Sequence, residues 1–199
     1  MSLREKYKAM VHDSILESAL VLISANGLAK TTIEMIAERS GVGVGTVYNH
    51  FSSKNDLLKA FIELKTDEKL KAGKEIIDQQ HSDPVQAITE LIWIYVRMIF
   101  TIPHKVFQEG FAFFLTQGKA VGLKTVEDSH ACAAQMQQMA ERLQAEGLLC
   151  ADTNLQSFKN LLWACKEYVI NRRLFNENFS EEQAKCEIRE MVVMIWKGM

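Results

Sequence analysis

Three glycines at alternate positions, Gly41, Gly43 and Gly45, stand just ahead of Thr46, Tyr48, Asn49 and His50. Glycine lets a backbone approach closely enough for its N–H groups to reach phosphate oxygens, so the run suits either a nucleotide or the phosphates of a nucleic acid. A dinucleotide loop needs a hydrophobic strand before its first glycine and the spacing G-x-G-x-x-G. Here Ala37-Glu38-Arg39-Ser40 precedes the run and Thr46 stands at the third glycine's place, while Gly45 is followed by Thr46-Val47 where a phosphate loop needs Lys-Ser/Thr. What remains is helix, tight turn, helix, the arrangement that lays a second helix in the DNA major groove. Thr46, Tyr48, Asn49 and His50 are short or planar hydrogen-bonding residues, which suit phosphates and base edges better than the Lys and Glu of a solvated hairpin.

Other chemistry is poorly provided for. There is no Ser/His/Asp set, no carboxylate pair and no metal-ligand spacing: His50 and His104 stand alone, His130 neighbours only Cys132, and His12 and Asp13 are expected to diverge on a helix. No enzyme activity, metal or cofactor is expected. Cys132, Cys150, Cys165 and Cys186 form no Cys-x-x-Cys and read as free thiols of a reducing cytoplasm. No basic-then-apolar leader is read at the start, and the longest apolar run, Leu91–Ile102, is twelve residues with Arg97 inside it, so no membrane association is expected. The formal net charge is −2, with residues 1–55 at +1, which excludes a grossly basic nucleic-acid coat but not a local binding face.

The elements that must position these residues read as all-α. Only two prolines occur, no stretch alternates convincingly, and capping boxes recur at Thr31/Glu34, Ser53/Asp56, Thr153/Gln156 and Ser180/Gln183, with Asp83-Pro84 as a further helix start. The first helix carries Tyr7, Val11, Ile15, Ala19 and Leu22 on one stripe and ends at Gly27, a left-handed position. Short helices are expected from Thr31 to Arg39 and from Gly43 or Val44 to His50, then a long one from Ser53 through Leu57, Leu58, Phe61 and Leu64. Ala37 is small where two helices cross, and Ile36, Val42 and Val47 hold the pair at its angle.

Residues 15–61 resemble the N-terminal DNA-binding region of the TetR family of bacterial transcriptional regulators. The resemblance rests on the I-L-x-x-A-L start, Gly27, Thr31-Thr32, Ile36-Ala37, Gly41-Val42, Gly45-Thr46, Tyr48-x-His50-Phe51 and Ser53-Lys54 before Leu57-Leu58. It implies a three-helix DNA-binding domain over 1–52, followed over 53–199 by a larger helical domain that binds a small molecule and dimerises. It also implies that Thr32 meets a backbone phosphate, that Thr46, Tyr48 and His50 touch phosphates or base edges, and that Lys54 clamps a phosphate. Gly43-Val44 departs from the polar pair common in the family, which leaves Val44 only thymine methyls or sugars to touch and shifts readout to Asn49, Tyr48 and Thr46.

The rest of the chain resembles nothing specific. Segment 84–102 is apolar nearly all round and belongs at the centre of a bundle. The aromatics from Trp93 to Phe114 are either plain core or the lining of an apolar cavity, with Trp93, Tyr95, Arg97, Phe100, His104, Phe107, Phe111 and Phe114 as candidate effector residues and a lipophilic ligand expected. The stripes Leu155, Phe158, Leu162, Cys165, Tyr168, Val169 and Ala184, Ile188, Met191, Val192, Ile195 suit a two-fold four-helix interface over 155–196. The expected function is a DNA-binding regulator, a repressor released from a palindromic operator on double-stranded DNA by a small lipophilic effector. The competing reading is a small helical binding protein or enzyme whose helix-turn-helix only packs.

Overall fold

A computed structural model describes residues 2–116 and 119–198; the side chains of 55, 58, 61, 62 and 113–129 lie outside the description, and with them the expected roles of Leu58, Phe61 and Phe114. Among the described residues the fold is all-α, in ten helices. These are α1 Leu3–Asn26, α2 Ile33–Ser40, α3 Val44–His50, α4 Lys54–Asp78, α5 Pro84–Val96, α6 Met98–Thr101, α7 His104–Thr116, α8 Lys119–Ala145, α9 Leu155–Phe175 and α10 Glu181–Lys197.

The chain divides into two compact units, the first comprising residues 1–65 with 105–116 and the second 66–104 with 117–199. The first contains the whole of 1–52, together with the start of α4 and nearly all of α7. Its core is Ile15, Leu16, Ala19, Ile23, Ile33, Ile36, Ala37, Val47, Phe51 and Leu57, all at most 8% exposed. Tyr7, expected on the inward stripe of α1, is 68% exposed, as residues 2–10 at the start of α1 are exposed throughout.

The helix starts follow side-chain chemistry, with two shifts of one residue. Ser180 with Gln183 forms a reciprocal capping box, Asp83 accepts the N–H of Gln86 with Pro84 following it, and Ser53 accepts the N–H of Asp56. Thr32 rather than Thr31 caps α2, accepting from Met35, because the Thr31 hydroxyl is fully buried and donates to the Gly27 carbonyl at 2.9 Å. Asn154 rather than Thr153 caps α9, accepting from Ser157. A box at the very start, Ser2 with Glu5, also forms. Gly27 has φ 83 and ψ 160, a positive φ outside the left-handed helical well.

The second unit centres on α5, which packs against α8, α9 and α10. Ile88, Leu91, Ile92 and Val96 have no exposure, and the apolar run breaks at Arg97, where α5 passes into α6. Phe158, Leu162, Cys165, Val169, Ala184, Ile188 and Val192 are buried at no more than 4% within this single chain. The apolar stripes expected to meet a second copy therefore fill the chain's own core.

Candidate nucleic-acid interface

The turn between α2 and α3 is set by Gly41, whose φ of 69 and ψ of 26 place it in the left-handed region that a side chain disfavours. Its N–H closes on the Ala37 and Glu38 carbonyls, and the Val42 N–H reaches the Ala37 carbonyl at 3.1 Å, so two peptides tie off the end of α2. The Ser40 hydroxyl donates to the Ile36 carbonyl at 2.7 Å. α3 then starts at Gly43 with no side-chain cap and turns Val47 fully inward.

Burying Val47 fixes the outer face of α3. Val44, Gly45, Tyr48 and Asn49, spaced i, i+1, i+4 and i+5, are exposed together, with Tyr48 at 51% and Val44 at 37%. Thr46 and His50 are half-buried at its edges, and Thr32 is exposed at the start of α2. His50 is not alone: its ring centroid lies 6.0 Å from that of His12 and 6.4 Å from that of Phe51. Nor do His12 and Asp13 diverge; His12 Nδ1 and Asp13 Oδ1 are 3.2 Å apart.

Lys54 has a role within the fold that its sequence position does not disclose. Its ammonium donates to the Leu28 carbonyl at 3.1 Å and the Thr31 carbonyl at 2.9 Å, pinning the turn between α1 and α2. Two of its three N–H bonds are thus taken, leaving one for an outside acceptor. The N–H of the same Leu28 donates to Glu109 Oε2 of α7 at 3.0 Å. Glu109 sits 81 residues along the chain, and no local spacing points to it.

The candidate effector residues are spread over different surroundings. Tyr95 is buried; its hydroxyl donates to Gln135 Oε1 at 2.7 Å, and Gln135 Nε2 donates to the Leu70 carbonyl at 2.7 Å. Burial foremost, and then Cys132, pushes the Tyr95 phenol well above its ordinary pKa, so it stays a neutral donor. Trp93 points elsewhere: its ring lies 5.6 Å from Phe100, and the Lys185 ammonium stands 4.5 Å over it. Phe100 continues to Phe179 at 5.9 Å, with the guanidinium of Arg173 over Phe100 and that of Arg172 over Phe179. Arg97 is exposed, and His104 Nε2 lies 3.3 Å from the Leu174 carbonyl. Phe107 and Phe111, with ring centroids 6.1 Å apart, belong to the first unit. Gln135, Phe179 and Lys185 join these residues without a signal in the sequence. Among the described residues, no group of three His, Cys, Asp or Glu is placed to hold a metal, and no helix is long and apolar enough to cross a membrane.

A short helix, a left-handed glycine turn and a second helix with a polar outer face define a helix-turn-helix protein, all-α among the described residues. Residues 15–61 match the family model described as bacterial regulatory proteins, tetR family. The chain is 42% identical over 52 residues to YvdT of Bacillus subtilis, an uncharacterized HTH-type transcriptional regulator, covering 26% of this chain and 27% of that one. It is 35% identical over 67 residues to an HTH-type transcriptional regulator of Staphylococcus aureus, covering 34% of this chain and 36% of the relative. The matches thus span only about a quarter to a third of those relatives' length. Over nearly the whole chain the fold is similar to a TetR/AcrR-family regulator from Thermobifida fusca, with TM-score 0.73, 20% identity and coverage of 94% and 97%. It is similar also to FadR of Bacillus subtilis, solved with stearoyl-CoA, with TM-score 0.69, 15% identity and coverage of 94% and 98%. The likeness to the tetR family of bacterial regulatory proteins thus covers residues 15–61, and over the rest of the chain it is a likeness of fold.

Proposed function

We propose that the protein is a homodimeric, ligand-responsive DNA-binding regulator acting in the cytoplasm, a repressor that leaves a palindromic operator when a small lipophilic effector binds. The observation that carries this reading is the outer face of α3, where Val44, Tyr48 and Asn49 are exposed while Val47 anchors the helix. A helix that only packed would not hold planar hydrogen-bonding groups in solvent on the face opposite its anchor. In this reading residues 1–52 take the DNA through Thr32, Gly43, Val44, Thr46, Tyr48, Asn49, His50 and Lys54. Residues 53–199 take the effector and the second copy. The stearoyl-CoA in FadR of Bacillus subtilis supports a lipophilic ligand. Effector binding then favours a dimer conformation in which the two α3 helices no longer match successive major grooves.

The test is retardation of DNA from the protein's own promoter region at moderate salt, against unrelated DNA of equal length. Preferential binding that a thermal-shift hit releases is the expected outcome; equal binding to both DNAs overturns the reading. Two variants sharpen it. Tyr48→Ala removes an exposed side chain and is expected to leave thermal unfolding unchanged while weakening promoter binding about tenfold or more. Lys54→Ala strips two carbonyls of their donor as well as a phosphate of its cation. It is expected to weaken binding to all sequences alike, with a shallower salt slope, and to lower Tm by a few degrees.

A further inference from the structure

A shallow cleft of about 340 Å³ lies between α1 and α3, lined by Glu5, Lys8, Ala9, His12, Asp13 and His50. Phe51 backs it, with its ring 4.7 Å from that of His12. The two carboxylates of the cleft are engaged locally, Glu5 accepting the Ser2 N–H at 2.6 Å and Asp13 facing His12 Nδ1. Lys8, one turn before His12 on the same face, belongs to the exposed start of α1, which carries Arg4, Lys6 and Lys8 against Glu5 alone.

We propose that Lys8, His12 and His50 form a phosphate site that seats one phosphate of the DNA backbone at the end of α3 and takes up a proton as it does so. The inference rests on the DNA-binding reading and extends it from the outer face of α3 to α1. An imidazolium gives a phosphate oxygen a short, charge-assisted hydrogen bond, which a neutral ring does not. In the free protein, burial first, and then His12 and Lys8, hold the His50 imidazole below its ordinary pKa. The charged and titratable groups facing it are Glu5, Lys8, His12 and Asp13 of α1; α2 contributes none to the cleft. A seated phosphate opposes those positive neighbours and raises the imidazole pKa in the complex above that of the free protein. Affinity gained this way is full below the free-protein pKa and is lost as pH rises through that of the complex.

The experiment is an anisotropy titration of the full chain with a labelled promoter duplex and a mixed-sequence duplex of the same length, at fixed ionic strength from mildly acid to neutral pH. Wild-type affinity for both is expected to fall about tenfold from the acid to the neutral end, because a backbone contact is blind to sequence. His12→Gln and His50→Gln are expected to flatten the profile. Lys8→Gln, at an exposed position, is expected to reduce the salt slope by about one. Tyr48→Ala is expected to bind more weakly at every pH with the profile intact. A flat wild-type profile, or full pH dependence in both histidine variants, overturns the proposal while leaving preferential promoter binding standing. If a histidine variant fails to fold by circular dichroism, the Lys8→Gln salt slope decides, and an unchanged slope overturns the site. Absence of promoter preference at every pH removes the DNA-binding reading and this inference with it.

Discussion

Replacing Leu161 by glutamate is expected to leave the fold intact, convert a dimer to a monomer and weaken operator binding about a hundredfold or more. The core-facing stripes of α9 and α10 are consumed within the chain, so in the proposed dimer it is their other face that would meet a second copy. That face is uncharged along α9: Ser157, Leu161, Ala164, Tyr168, Asn171 and Phe175 recur at helical spacing and are all exposed. Leu161 is 48% exposed, Tyr168 41% and Phe175 82%, and Met194 of α10 adds another apolar side chain at 74%. A two-fold axis through this face would bring each Leu161 against the partner helix, where an unpaired carboxylate in both copies costs several kcal/mol, on the order of a buried charge without a partner. The same change at Val192, which is 1% exposed, would instead break the second unit's own core. Sedimentation of Leu161→Glu separates the cases. A variant that remains dimeric, or a monomer that still binds the operator tightly, would overturn the assignment of this face.

Enlarging Ala37 to leucine is expected to abolish operator binding through shape alone. Ala37 is 2% exposed on α2 and its carbonyl already accepts from Val42, so extra carbons must displace a helix rather than turn outward. Overpacking of this kind costs about 1–3 kcal/mol. Gly41→Val acts on the same turn by a different cause: a Cβ there meets nothing within 4 Å, so the loss, about 1–2 kcal/mol, comes from left-handed backbone strain. Thermal unfolding with operator titration checks both. Wild-type affinity in a stable Ala37→Leu variant would show that the crossing of α2 and α3 is not what presents Tyr48 and Asn49.

The helix-turn-helix was legible in the sequence because its determinants are local. Gly41, Ala37 and Val47 lie within eleven residues of one another, and each states its requirement by its own side chain or lack of one. The misplaced caps show where local reading runs out. Thr31 with Glu34 makes the better box on paper, but the Thr31 hydroxyl answers the Gly27 carbonyl behind it, and only the folded turn shows that. The stripe residues Phe158, Leu162, Ile188 and Val192 are buried within the chain itself, since periodicity gives the width of a stripe but not what covers it. The partners of Tyr95 and Lys54 lie 40 and more than 20 residues away, at Gln135 and at the Leu28 and Thr31 carbonyls, beyond the reach of any spacing rule.

The peptide at Leu28 is gripped from both ends, its N–H by the Glu109 carboxylate and its carbonyl by the Lys54 ammonium. The three helices that read as a self-contained module thus take two of the side chains at their first elbow from beyond residue 52. A piece cut there, or grafted onto another scaffold, leaves behind both side chains that set the elbow between its first two helices. Any transplant that is to keep the attitude of α2 has to carry the opening of α4 and the middle of α7 along with it.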